Sequence, residues 1–226
     1  VSTTRTKPVT LPRHSSPSDD PGVTGSVART MARMARGRVL LGSGAAYATF
    51  ATVFFATSLP FTIPRVEAVC RQAPPDVRFA PSATAVLRFL DACGVAGRES
   101  YRNLQLADLA YPAVFGLFLA TALAFVISRL TRPDSRLLAL SVLPLLGAAF
   151  DYLENACAWL ALAAHPEPSV ASSLFGLASG AKNIASWAAG LVLVGVVVLL
   201  LARTTRDRWR ASRGGVGAVR DDAGRQ

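Results

Sequence analysis

Two acids and an amide stand inside an otherwise apolar run, Phe150-Asp151-Tyr152-Leu153-Glu154-Asn155. Positions three and four apart share a helix face, so Asp151, Glu154, Asn155 and Ala158 form one stripe. An ionised carboxylate turned toward hydrocarbon costs at least ~2.5 kcal/mol, so this stripe is expected to face protein. Lys182 and Asn183 stand in a second apolar run, and the only other lysine is Lys7. A third polar series, Tyr101, Gln105 and Asp108, has helical spacing, and Tyr111 extends it. Buried carboxyls beside an ammonium can donate or accept a proton, or grip the polar end of a ligand.

The same residue types have a purely structural use. Buried polar pairs hold membrane helices in register and choose their partners. Asp108 at a helix start favours the helix dipole whether or not it binds anything. Lys182 can snorkel to the surface. Tyr101 and Trp159 suit an interface, Trp187 suits a core, and Gly180 and Gly190 suit close helix packing. Both readings stand on the sequence.

The elements that must carry these residues are long apolar runs. Val39 to Pro64 has no charge. It exceeds the ~20 residues that cross a ~30 Å hydrocarbon core, and it is too long for a signal-peptide core of about 7–15 residues. Four spans follow, at about 39–59, 108–128, 137–164 and 173–202, within a transmembrane domain 39–202. Prolines 60 and 64 end the first. Residues 60–107 make a long outer loop. Its second half is expected to hold short amphipathic helices on the membrane, with apolar contacts from Leu87, Phe89, Leu90 and Val95. Residues 1–38 are expected to be a disordered basic tail, with Met31 or Met34 as alternative starts, and 203–226 a second basic tail. The fold class is all-α: a polytopic membrane protein, an antiparallel bundle of four transmembrane helices.

Composition agrees. The chain of 226 residues is 51% hydrophobic and 17% charged, against about a quarter charged in soluble domains. The net charge of +10 does not indicate nucleic acid. The aromatics lie in the apolar runs and the arginines outside them, not interleaved along a groove. Lys and Arg number seven before the first span, three in the 129–136 turn and seven after the last span, with none in 165–172. Six are spread over residues 60–107, offset by Glu67, Asp76, Asp91 and Glu99. The positive-inside rule then puts both termini in the cytoplasm of a bacterial inner membrane. Asp151 falls ~21 Å past Leu137, and Lys182 ~30 Å before Ala202, at about 1.5 Å per residue. Asp108, Asp151, Glu154, Lys182 and Asn183 thus meet in the outer half.

Cys70 and Cys93 fall in the outer loop, where oxidation can join them or leave two thiols. There is no CxxC, and His14 and His165 lie outside the apolar runs. A thioredoxin-like centre, a His-rich metal centre and a cofactor site are therefore not expected.

Asp151-Tyr152-Leu153-Glu154-Asn155, the Gly97-Arg98…Tyr101…Asp108 approach and Lys182 resemble a type of bacterial four-helix membrane protein with no activity to carry over. Ser58-Leu59-Pro60-Phe61-Thr62-Ile63-Pro64 and Asp108-Leu109-Ala110-Tyr111-Pro112 are similar to segments of the EXPERA superfamily of emopamil-binding sterol isomerases. That resemblance implies four helices, a long first loop and intramembrane acids. The chain lacks the histidines of the isomerase site, and its richest acid cluster lies in the third span.

Two functions follow as expectations. One is a pocket between the second, third and fourth spans for an apolar or lipid-like small molecule, with Glu154 or Asp151 as the proton carrier if a reaction occurs. The other is an accessory membrane protein whose polar cluster locks packing while the basic tails touch anionic lipid or a partner. A transporter is disfavoured, because no inverted repeat or midplane helix break is visible. Four spans suit a self-contained bundle or half of a homo-oligomer core.

Overall fold

The structure, a computed structural model, describes residues 23–133 and 135–223. Among them all regular structure is helical. The helices are α1 Val23–Met34, α2 Gly37–Ala56, α3 Ile63–Cys70, α4 Ala83–Asp108, α5 Tyr111–Leu130, α6 Leu143–Ala164 and α7 Val170–Ala223, with 3₁₀ segments at Pro75–Val77 and Arg136–Val142. Four stretches are long and apolar enough to cross a membrane: Gly37–Ala56, Ala83–Leu130, Arg136–Ala164 and Val170–Arg210. The charge-free part of the second lies in α5.

Two packing centres hold the helices. One gathers Phe54, Val66, Phe89, Leu90, Tyr101, Leu104, Ala158, Leu162 and Phe175, from α2, α3, α4, α6 and α7. The other gathers Leu119, Leu123, Ile127, Leu138 and Ala189, with Ala32 of α1 against it. The broadest helix pairing is α6 on α7. Gly147 makes part of it possible, because a Cβ there would stand 2.9 Å from Ser186 Oγ. Outside these contacts the apolar faces are bare. Only 6% of the most apolar window of α7 is buried, and 11% of that of α2.

Several boundaries differ from the sequence reading. Residues 23–34, expected to be disordered, form α1, whose Met31 is buried against neighbouring helices. The expectation for residues 1–22 lies outside the described residues, as does Asp134 of the 129–136 turn. The first span stops at Ala56, because Thr57 is extended and the Thr62 hydroxyl donates to the Thr57 and Leu59 carbonyls. The third span opens as a 3₁₀ segment and becomes α-helical only from Leu143, with Pro144 in its first turn, where a missing N–H costs nothing. At about 2.0 Å per residue the 3₁₀ segment sets Asp151 ~3 Å further from Leu137 than an α-helix would. The fourth span begins at Val170 and continues without a break through the basic segment to Ala223.

The segment 60–107 differs most. It holds α3, a 3₁₀ turn and most of α4, and α4 is not straight. Gly94 has φ 61° and ψ −171°, a conformation open to glycine and costly for other residues. Along a straight helix Phe89 and Tyr101 would stand ~18 Å apart, yet their rings meet edge-to-face at 5.0 Å between centroids. The chain therefore doubles back at Gly94, and Arg98 Nη1 donates to the Leu90 carbonyl at 3.1 Å across the corner. Phe89 and Leu90 are core residues, Leu87 is half-buried, and Val95 is exposed beside the corner. The expected amphipathic helices lay their apolar side on protein.

Candidate functional site

Three elements bring the polar residues together. On α6, Asp151, Glu154, Asn155 and Ala158 are all buried on one face. On the second half of α4, Tyr101, Gln105 and Asp108 are buried on another. From α7, Lys182 reaches between them. Its ammonium donates to Asp151 Oδ1 at 3.4 Å, to Glu154 Oε2, and to the backbone carbonyl of Asp76 at 3.3 Å. Three protons meet three acceptors, so Lys182 points inward and does not snorkel. Asn183 is held back by its own helix, donating from Nδ2 to the Ser179 carbonyl at 2.9 Å. Tyr111 lies past a turn at Leu109–Ala110 and does not extend the α4 stripe.

Asp76 is the site residue that sequence reasoning missed. In the sequence it is one of four acids spread over residues 60–107. It sits in the 3₁₀ turn after Pro74 and Pro75, whose fixed φ angles set the turn. Its carboxylate accepts from the Tyr101 hydroxyl at 2.5 Å and from Gln105 Nε2 at 2.7 Å. Burial of this carboxyl raises its pKa above the usual aspartate value, against the pull of the Tyr101 hydrogen bond and the Lys182 charge. The local sequence signal was Pro-Pro-Asp, which marks a turn but does not say where the turn docks.

The Asp76 loop is strapped down at several points. Ser179 Oγ donates to the Arg78 carbonyl at 3.0 Å. Phe79 stacks on Trp187 with centroids 5.4 Å apart and planes 14° from parallel. Gly176 and Gly180 leave room for the loop backbone: a Cβ on Gly176 would collide with the Pro81 carbonyl, and one on Gly180 would stand 3.2 Å from the Ala80 Cβ. Gly180 thus admits a loop, not a helix, and Gly190 has nothing within 4 Å of a built Cβ. Trp187 is exposed and lies against the loop, not in a core. At the start of the segment a disulfide joins Cys70 to Cys93, while Cys157 is a buried free thiol.

Beneath the loop lies a cavity of about 340 Å³. Phe54, Tyr111 and Phe115 form one stacked row along it, with centroid spacings of 5.8 and 5.7 Å. Asp76, Asp108, Asp151 and Lys182 supply its charged lining. Asn155 lies beside Asp108. Behind the lining, among the described residues, Gln105 Oε1 and Glu154 Oε1 are buried with no hydrogen-bond partner. Among the described residues no three His, Cys, Asp or Glu side chains converge as metal ligands. Tyr47, Thr49 and Thr52 of α2 do not line the cavity. Tyr47 stacks on Phe118, and Thr52 bonds its own helix.

No family model, curated protein or solved structure matches this chain. The reading of the site therefore rests on its own geometry.

Proposed function

We propose that this chain is a multi-pass protein of the bacterial inner membrane, an antiparallel bundle with both termini cytoplasmic, whose outer-half cavity binds an amphipathic small molecule. The bare apolar faces of α2 and α7 support the membrane reading, because water-exposed apolar surface on that scale is rare in soluble monomers. The observation that carries the binding reading is the cavity's mixed lining. A stacked aromatic row suits an apolar body, and the carboxyls of Asp76, Asp108 and Asp151 in the lining suit a head group that donates hydrogen bonds. A ligand with an apolar body and a donor end satisfies both sides. A purely apolar ligand leaves the carboxyls facing hydrocarbon.

A second reading keeps one specific observation on its side. Lys182 is fully matched by Asp151, Glu154 and the Asp76 carbonyl. That is what a structural lock between α6, α7 and the loop requires. The two readings part at Asp108 and Ala148, which line the cavity and make no contact with Lys182 among its hydrogen bonds.

Native mass spectrometry of the purified chain separates them. Ligand binding predicts a discrete bound mass that is reduced in Asp108→Asn and lost in Ala148→Phe, both with a normal thermal transition. A chain that carries no discrete mass, or one indifferent to both substitutions, sinks the binding reading and leaves the lock.

A further inference from the structure

A second cavity, of about 420 Å³, lies at the other end of the molecule. It is an apolar groove where the end of α5, the 3₁₀ segment Arg136–Val142 and α7 come together. Ile127, Leu130, Leu137, Leu140, Val196 and Leu199 make its walls. Arg203 stands on its rim. One guanidinium nitrogen, Nη1, donates to the Leu130 carbonyl at 3.1 Å, an orphan carbonyl of the α5 C-terminus. This contact holds the side chain at the groove. Its other N–H groups make no further hydrogen bond among the described residues.

Among the described residues the charge around this end is mostly positive, with Asp207, one turn past Arg203, as an exposed acid near it. Arg33, Arg36, Arg129, Arg132 and Arg136 are all exposed there with Arg203, because α1 packs on the 3₁₀ segment and on α5. Arg129 is steadied by the Phe125 ring at 4.6 Å. An apolar slot under a collar of arginines complements one chemistry in particular: an acyl chain joined to an anionic head. A guanidinium fork matches a phosphate diester, and desolvation near the interface strengthens the match. A zwitterionic lipid offers the chain but brings its own positive charge to the collar.

We infer that this groove is a binding site for one anionic phospholipid of the cytoplasmic leaflet, its acyl chain between α5 and α7 and its phosphate on Arg203. The inference rests on the membrane reading above but not on the outer cavity. Its physical consequence is a bridge between the end of α5, the 3₁₀ segment Arg136–Val142 and α7.

The test titrates the full chain in nonionic detergent with phosphatidylglycerol and with phosphatidylcholine of identical acyl chains, read by native mass spectrometry. Phosphatidylglycerol is expected to bind more tightly, by about fivefold for each arginine engaged. Arg203→Gln is expected to reduce its affinity by about fivefold and leave phosphatidylcholine unchanged. Leu140→Trp, and independently Leu199→Trp, fill the groove and should remove the bound lipid. Arg102→Gln, at an exposed pair with Glu99 in α4, should change nothing. Equal binding of the two lipids overturns the inference. So does phosphatidylglycerol binding that survives both tryptophan variants, which places the head on the collar alone, and so does a lipid-free dimer, which makes the groove a contact between copies. Recovery of the chain from the soluble fraction without detergent overturns the membrane reading instead, so the two failures are distinct.

Discussion

The Tyr101 hydroxyl lies 2.5 Å from Asp76 Oδ1, a bond between residues twenty-five positions apart. It joins the second half of α4 to the loop over the cavity lined by Asp76 and Lys182, and Gln105 Nε2 reinforces it one turn further along at 2.7 Å. Asp76 is thus held through both carboxylate oxygens and, through its carbonyl, by Lys182.

Removing that carboxyl should leave two buried donors without an acceptor. Asp76→Ala is expected to destabilise the fold by about 2–6 kcal/mol, at about 1–3 kcal/mol for each orphaned group. Asp76→Asn should behave differently, because an amide keeps an acceptor for Tyr101 and Gln105 Oε1 can turn to accept from the new amine. Thermal unfolding in detergent distinguishes the two, and equal losses would show that charge, not hydrogen bonding, is what the site needs.

The raised pKa of Asp76 fixes a sign for pH dependence. The folded state holds this proton more tightly than the unfolded state, so the contribution to stability is complete below the unfolded value of 3.8. It is lost as pH rises through the folded value. Asp76→Asn cannot lose the proton. It should therefore gain on the wild type as pH rises above 3.8, a trend read from paired melting curves. A stability difference that is constant with pH would contradict this assignment.

Lys182→Met should be the most damaging single change in the cluster. It leaves Asp151 and Glu154 buried without their cation, and breaking a buried pair costs about 3–5 kcal/mol. The double variant Lys182→Met/Glu154→Gln removes one of the stranded charges and should recover part of the loss. If the double variant is no better than the single one, the lysine acts through packing.

The Cys70–Cys93 disulfide closes a loop with a sequence separation of 23. Replacing both by Ser should cost about 3 kcal/mol, mostly by freeing the unfolded chain. Alkylation followed by mass analysis of the unreduced, denatured chain should label Cys157 alone. Three labelled cysteines in protein isolated without reductant would show that the bond does not form.

Gly176→Leu should lift the Asp76 loop from α7, because the side chain would enter the space of the Pro81 carbonyl. The expected cost is about 1–3 kcal/mol of overpacking. The exposed stack of Phe79 on Trp187 should open with it, so Trp187 fluorescence should shift to the red. An unchanged spectrum would mean that the loop is held elsewhere.

The chain's long apolar runs mark four long helices, since any run of that length and hydropathy leaves few alternatives. They also pick out Asp151, Glu154 and Lys182, because a charge inside such a run must find a partner. Stripes on α6 and α4 could be read for the same local reason: side chains three and four apart share a face whatever surrounds them. What lay beyond reach was every relation that joins distant segments. Pro74-Pro75-Asp76 marks a turn, but only packing against Ser179, Trp187 and Gly176 on α7 brings the Asp76 carboxyl to Tyr101. Gly94 is one of 17 glycines, and its reversal of α4 is chosen by the burial of Phe89 against Tyr101. Local propensity comes from neighbours along the chain. The docking of loop 71–82 and the corner in α4 come from contacts between segments, which no short-range pattern encodes.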